Sequence, residues 1–200
     1  MFRLPIFILL FVISCTAHAA KTILIFGDSL SSGYGLAREQ SWPALLDQRL
    51  QTSHLPYVIV NASISGETTA GGLTRLPEAL AIHKPAILVL ALGPNDGLRG
   101  LSLAQMRANL TAMIRAAKQP DRKILLIGMK LPPNFGPDYT AEFARSFKDV
   151  ARAQKVALLP FLLEPVAADP AAFQADNLHP VAGAEAKILD HVWQALKPLL

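Results

Sequence analysis

Ser29 follows almost directly on a run of β-formers. The stretch KTILIF, residues 21–26, ends abruptly in Gly27-Asp28-Ser29 and thins into small residues, FGDSLSSGYG. A serine hydroxyl is a poor nucleophile until a neighbouring base takes its proton. Histidine suits that task because its pKa lies near neutrality. The chain has five. His18 sits in the N-terminal small-residue stretch, His54 and His83 fall near helix ends, and His191 falls inside the last helical stripe. His179 differs, standing in the loop DNLHP just before that stripe. Asp176, three residues earlier, can reach the imidazole across one turn. Such a carboxylate fixes the ring's tautomer and stabilises the imidazolium. Spacing alone leaves a second reading equally open, a surface His–Asp pair beside a helix start.

Acyl transfer also needs donors for the developing oxyanion. Gly66, in ISGETT, lets the backbone approach a ligand closely. Asn95, in GPND, carries an amide donor after an apolar run. Each alone has a plainer reading, because Gly66 fits any turn and Pro-Asn-Asp-Gly is good turn chemistry. Jointly they say more, since Ser29, Gly66, Asn95 and His179 all fall at strand ends or in loops.

Those strand ends come from five apolar, β-rich runs: 22–26, 57–61, 87–92, 123–128 and 156–160. Helical spacing fills the intervals. Trp42, Leu45, Leu46 and Leu50 make one stripe, and Leu73, Leu76 and Leu80 a second. Met106, Leu110, Met113 and Ala117 follow Ser102 as N-cap. Phe143, Phe147, Val150 and Ala151 make a fourth stripe. The fifth runs from Val181 to Leu196, with Pro180 expected at its first helical position. Residues 130–138, KLPPNFGPD, read as a stiff loop. Regular alternation predicts an α/β fold, a three-layer α/β/α sandwich around a five-stranded parallel sheet of flavodoxin-like order. Ligands then sit beyond the carboxyl ends of the strands, at the switch in strand order. Strands one and three should flank that point and bring Ser29 and Asn95 together.

The blocks GDSLS around Ser29, ISGETT with Gly66, GPND with Asn95 and DNLH ending in His179 resemble the four signature blocks of the SGNH (GDSL) hydrolases. The strings GDSLSSGYG, NASISGETTAGG, GPNDGLRG, LPPNFGP and DNLHP resemble its group of bacterial periplasmic arylesterases, thioesterase I and lysophospholipase L1. The resemblance covers nearly the whole chain after the leader. It implies Ser29 as nucleophile and, through its N–H, as one oxyanion donor, with the Gly66 N–H and the Asn95 side chain completing the hole. It implies His179 as base and then acid, Asp176 as its orienting partner, and Asp28 as a residue bracing the loops. Pro94 occupies the family's variable position and removes one backbone donor.

No G-x-S-x-G surrounds any serine, and no GxxxxGK[ST], GxGxxG or HExxH occurs. No cofactor or metal is expected. Two alternatives remain to acyl-ester and thioester hydrolysis: a carbohydrate O-acetylesterase on the same fold, and a non-catalytic acyl-chain binder. The second has no need of an Asp–His pair. Leu98, Leu101, Leu131, Pro133 and Phe135 favour acyl chains over sugars.

Composition narrows the rest. The 200 residues suffice for one domain, and 52% hydrophobic against 17% charged excludes disorder. The net charge of +4 is scattered along the chain without a basic run, so no nucleic-acid partner is expected. The N-terminus reads as a signal peptide over residues 1–20. Arg3 precedes an apolar run from Leu4 to Ile13, and Ala17-His18-Ala19 has the A-x-A form. A periplasmic or secreted domain of residues 21–200 follows, expected to be a monomer without a membrane span. Cys15 is the sole cysteine. Val-Ile-Ser-Cys also resembles a lipobox, so a lipoprotein anchored through Cys15 is the alternative.

Overall fold

The computed structural model describes residues 20–200. The leader boundary and the Cys15 alternative therefore fall largely outside the described residues.

The five apolar runs become β1 (Lys21–Gly27), β2 (Tyr57–Asn61), β3 (Ile87–Ala91), β4 (Lys123–Ile127) and β5 (Ala157–Leu159). All pair in parallel in the order β2-β1-β3-β4-β5, the flavodoxin-like order expected. Successive strand residues point to opposite faces, and here both faces are covered. Ile23, Ile25, Ile87 and Val89 belong to one apolar cluster, while Leu24, Phe26, Leu88 and Leu90 belong to the other. That two-sided burial is why these strands lack polar alternation. Each such side chain contributes about 1.5–3 kcal/mol by leaving water.

The helices are α1 (Ser29–Ser32), α2 (Trp42–Thr52), α3 (Thr69–His83), α4 (Pro94–Leu98), α5 (Leu103–Ala117), α6 (Pro137–Gln154) and α7 (Ala182–Leu196). Helices α2 and α7 cover the first face. Helices α3, α5 and α6 cover the second. Ser102 caps α5 as expected, its Oγ accepting from the Gln105 N–H at 3.3 Å. Along α6, the rings of Phe143 and Phe147 meet edge to face at 5.2 Å. At the exposed side of β2, the Asp47 carboxylate of α2 accepts from the Ile59 N–H at 3.1 Å.

Three expectations need correction. Pro180 lies one residue before the N-cap of α7, which is Val181, so it closes the preceding loop instead of opening the helix. The loop at 130–138 is shorter than expected, because a 3-10 turn occupies Pro133–Phe135 and Pro137 opens α6. The GPND segment is the helix α4, with Pro94 in its first turn, where a missing N–H costs nothing.

Candidate active site

The strand ends deliver the expected residues to one edge. Ser29 opens α1 directly after β1, and Asp28 is its N-cap, Oδ1 accepting from the Leu30 N–H at 3.1 Å. Asp28 is 1% exposed, and its Oδ2 has no partner among the described residues. Burial, the largest influence, pushes this carboxyl up to about 7. Asp28 thus braces its own turn, while other groups join the turn to its neighbours. The Asn61 amide donates to the Ser31 carbonyl at 2.7 Å, and the hydroxyls of Ser32 and Ser65 lie 2.9 Å apart. The Ile64 N–H donates to the Gly27 carbonyl at 3.0 Å, drawing the loop after β2 against the turn.

Gly66 stands in that loop at φ +78, a left-handed conformation that glycine adopts without strain. Its N–H donates to no group among the described residues, while its carbonyl accepts from Arg99 at 2.8 Å. From α4, the Asn95 amide donates to the Glu67 carbonyl at 3.0 Å, so one hydrogen is used and the other is free. Asp96 is 3% exposed. It accepts from both the N–H (2.8 Å) and the hydroxyl (2.6 Å) of Thr69, and Asn109 donates to that hydroxyl at 3.0 Å. These bonds fix α4 against the first turn of α3. Gly93 aims α4 with φ +129, and a Cβ there would lie 2.8 Å from the Phe147 ring.

His179 reaches Ser29 from the loop before α7. Its Nε2 lies 2.8 Å from the Ser29 Oγ, and its Nδ1 lies 2.7 Å from Asp176 Oδ2. With the proton on Nδ1, the ring donates to Asp176 and accepts from Ser29. Asp176 Oδ1 accepts two further hydrogen bonds, from the N–H groups of Leu178 (2.9 Å) and His179 (3.0 Å). The His179 N–H is the chief reason that the Asp176 carboxyl falls to about 2. The other described histidines lie elsewhere: His83 ends α3, His54 sits in a turn, and His191 Nε2 donates to the Phe161 carbonyl at 3.0 Å.

Two residues of this region were not foreseen. Gln174 donates to the carbonyls of Tyr34 (2.8 Å) and Pro180 (2.9 Å), and its N–H donates to the His179 carbonyl at 2.8 Å. The Tyr34 ring tilts against the His179 ring at 4.5 Å between centroids. Neither belongs to a local pattern, so only the folded chain reveals them.

A cleft of about 580 Å³ opens beside these groups. Ser29, Asn95 and His179 line it, together with Leu98, Leu131, Phe161, Leu163 and Phe173. Gly66 does not line this cleft, and the Glu67–Asn95 bond holds its loop beside Asn95. A hydroxyl, an imidazole and a carboxylate in series, next to a free amide hydrogen, can activate an oxygen nucleophile and stabilise a new oxyanion.

Residues 25–185 match the family model described as GDSL-like Lipase/Acylhydrolase family. The chain is 50% identical to Esterase TesA of Pseudomonas aeruginosa over 91% of this chain and 90% of that protein. It is 39% identical to Thioesterase 1/protease 1/lysophospholipase L1 of Escherichia coli, over 97% and 92% respectively. The crystal structure of TesA superposes with a TM-score of 0.87 at 49% identity, covering 90% of this chain and all of that one. The chain belongs to the GDSL-like lipase/acylhydrolase family. Its fold is that of the SGNH hydrolases, and its activity is carboxylic ester hydrolysis.

Proposed function

We propose that Ser29 is the nucleophile of an exported serine esterase acting on acyl esters and thioesters with apolar acyl chains. The observation that carries the reading is the unbroken series Ser29 Oγ to His179 Nε2 at 2.8 Å and His179 Nδ1 to Asp176 Oδ2 at 2.7 Å.

Ser29 Oγ attacks the carbonyl carbon as its proton passes to His179 Nε2. Asp176, held ionised well below neutral pH, stabilises the imidazolium. The oxyanion accepts from the N–H groups of Ser29 and Gly66 and from the free amide hydrogen of Asn95. Collapse expels the alcohol or thiol, which takes its proton from His179 and leaves an acyl group on Ser29. Water, deprotonated by the same imidazole, then releases the acid.

The leucine and phenylalanine lining of the cleft supports an acyl chain over a sugar. Esterase and thioesterase relatives support both ester types. The A-x-A leader supports export to the periplasm with residues 21–200 as the hydrolase domain, and mass analysis of the exported protein distinguishes this from lipidation at Cys15.

Hydrolysis of p-nitrophenyl esters from acetyl to long acyl chains, measured beside Ser29→Ala, tests the reading. Turnover should rise beyond acetyl and fall by roughly 10⁴-fold or more in the variant. Substantial turnover by Ser29→Ala sinks the nucleophile assignment, and activity confined to acetyl moves the substrate to O-acetyl groups.

A further inference from the structure

The edge of the sheet opposite the cleft is basic. Two strands begin there with lysine, Lys21 in β1 and Lys123 in β4. Three crossover helices and the last helix end there, and each has a lysine as its C-cap: Lys84 after α3, Lys118 after α5, Lys155 after α6 and Lys197 after α7. Arg122 lies between two adjoining grooves. One also carries Lys21 and Lys84, the other Lys118, Lys123 and Lys155, and Asp121 is the sole acidic side chain lining either.

Part of this pattern is local. A cation at a helix C-terminus complements a partial charge of about −0.5. Four such ends and the terminal carboxylate of Leu200 offset some of the charge and leave an excess. Among the described residues no Asp or Glu side chain pairs with any of the seven cations, and Lys123 donates to the Leu200 oxygen at 3.4 Å. Arg122 donates to the carbonyls of Pro85 and Ala117, and Lys118 donates to that of Gln154. Residues 20–200 hold eighteen Lys and Arg against fifteen Asp and Glu. Setting aside the seven cations and Asp121 leaves eleven cations against fourteen acids. Two of those acids, Asp28 and Glu185, are buried with carboxyls raised to about 7, so the charge is polarised, positive at one end and close to balanced over the remainder.

We propose that this basic edge docks on the surface of an anionic phospholipid bilayer. Two observations favour lipid over nucleic acid. The grooves are floored by apolar residues, Leu80, Pro85, Val156 and Leu199 among them. No aromatic side chain lines them for base stacking. Docking this way orients the molecule, because the excess positive charge is confined to this edge. The cleft then opens away from the membrane, towards ester molecules free in solution.

Sedimentation of residues 20–200 with phosphatidylcholine vesicles, with and without phosphatidylglycerol, tests this. Binding should require phosphatidylglycerol and weaken steeply with salt. The triple variant Lys84→Gln/Lys123→Gln/Lys155→Gln should bind roughly 100-fold more weakly. A control with the same net charge, Arg38→Gln/Lys148→Gln/Lys187→Gln, should bind at least as well as the parent. Both should retain p-nitrophenyl ester turnover, which shows that they fold. Equal losses in the two variants, binding without phosphatidylglycerol, no binding at low salt, or tighter binding to a DNA duplex at matched salt would each overturn the proposal.

Discussion

The two halves of the site are held in opposite ways. The turns carrying Ser29, Gly66 and Asn95 are fixed by groups from distant segments, the Asn95 helix by Asp96, Thr69 and Asn109 sealed among helices. The loop carrying His179 is exposed and holds itself together through bonds spanning two to six residues, apart from its link to Tyr34 and its contact with Ser29. The carboxyls record the contrast. Asp28, desolvated, is raised to about 7, whereas Asp176, wet and donor-rich, is lowered to about 2. Damage to the first half should therefore register in stability, and damage to the second mainly in turnover.

After Ser29→Ala itself, Asp176→Ala should give the largest effect, a fall in kcat of about 10³–10⁴-fold. The same variant should lose less than about 1 kcal/mol of stability, because its bonds are short-range and exposed. Urea denaturation beside steady-state kinetics checks both, and a large stability loss would erase the distinction. Asn95→Ala should cut kcat by roughly 10²–10³-fold through loss of one oxyanion donor. A change confined to KM would mean that the amide binds the ground state instead.

Titration sharpens the contrast further. The folded chain keeps the Asp28 proton up to about pH 7, while an unfolded carboxyl releases it near 3.8. Glu185 behaves alike, being buried with its Oε2 accepting from the Trp42 N–H and its carboxyl raised to about 7. The stability from these groups is full below their unfolded values and is lost as pH rises through 7. For Asp28 the span reaches about 4 kcal/mol at most. Urea midpoints should accordingly fall between pH 5 and pH 8.5, and the double variant Asp28→Asn/Glu185→Gln should flatten that slope. Persistence of the slope in the double variant would place its origin elsewhere. Asp176 has the opposite sign and adds stability that fades only as pH drops towards 2.

Asp96→Ala should cost about 2–3 kcal/mol, since the Thr69 N–H is left buried without an acceptor, lowering Tm by roughly 5–10 °C. An unchanged Tm would show that water replaces the carboxylate. The smallest effect belongs to Gln174→Ala, about tenfold in kcat with little change in Tm, because the His179 loop loses its tie to Tyr34.

Much of this was legible in the sequence where a period or a short spacing carried it. The five strands read as apolar runs because both faces are covered, and the long helices read from their stripes. Asp176 and His179 were legible because the pair is three residues apart. Helices α1 and α4 were not, since four or five residues cannot display a helical period. Asp28 was expected to brace loops, but its reach ends at Leu30; the bracing falls to Asn61, Ser65 and Asp96, partners chosen by strand order. Gln174 and Tyr34 lie 140 residues apart and meet only because the loop before α7 returns to the turn that follows α1.

The carboxylate of Asp47 at β2 has a consequence for the chain among its own copies. A free strand edge is a row of unused donors and acceptors, open to any extended peptide that drifts alongside. Asp47 occupies the Ile59 donor in the middle of that row, so an incoming strand would have to evict a charged side chain before its first rung could form.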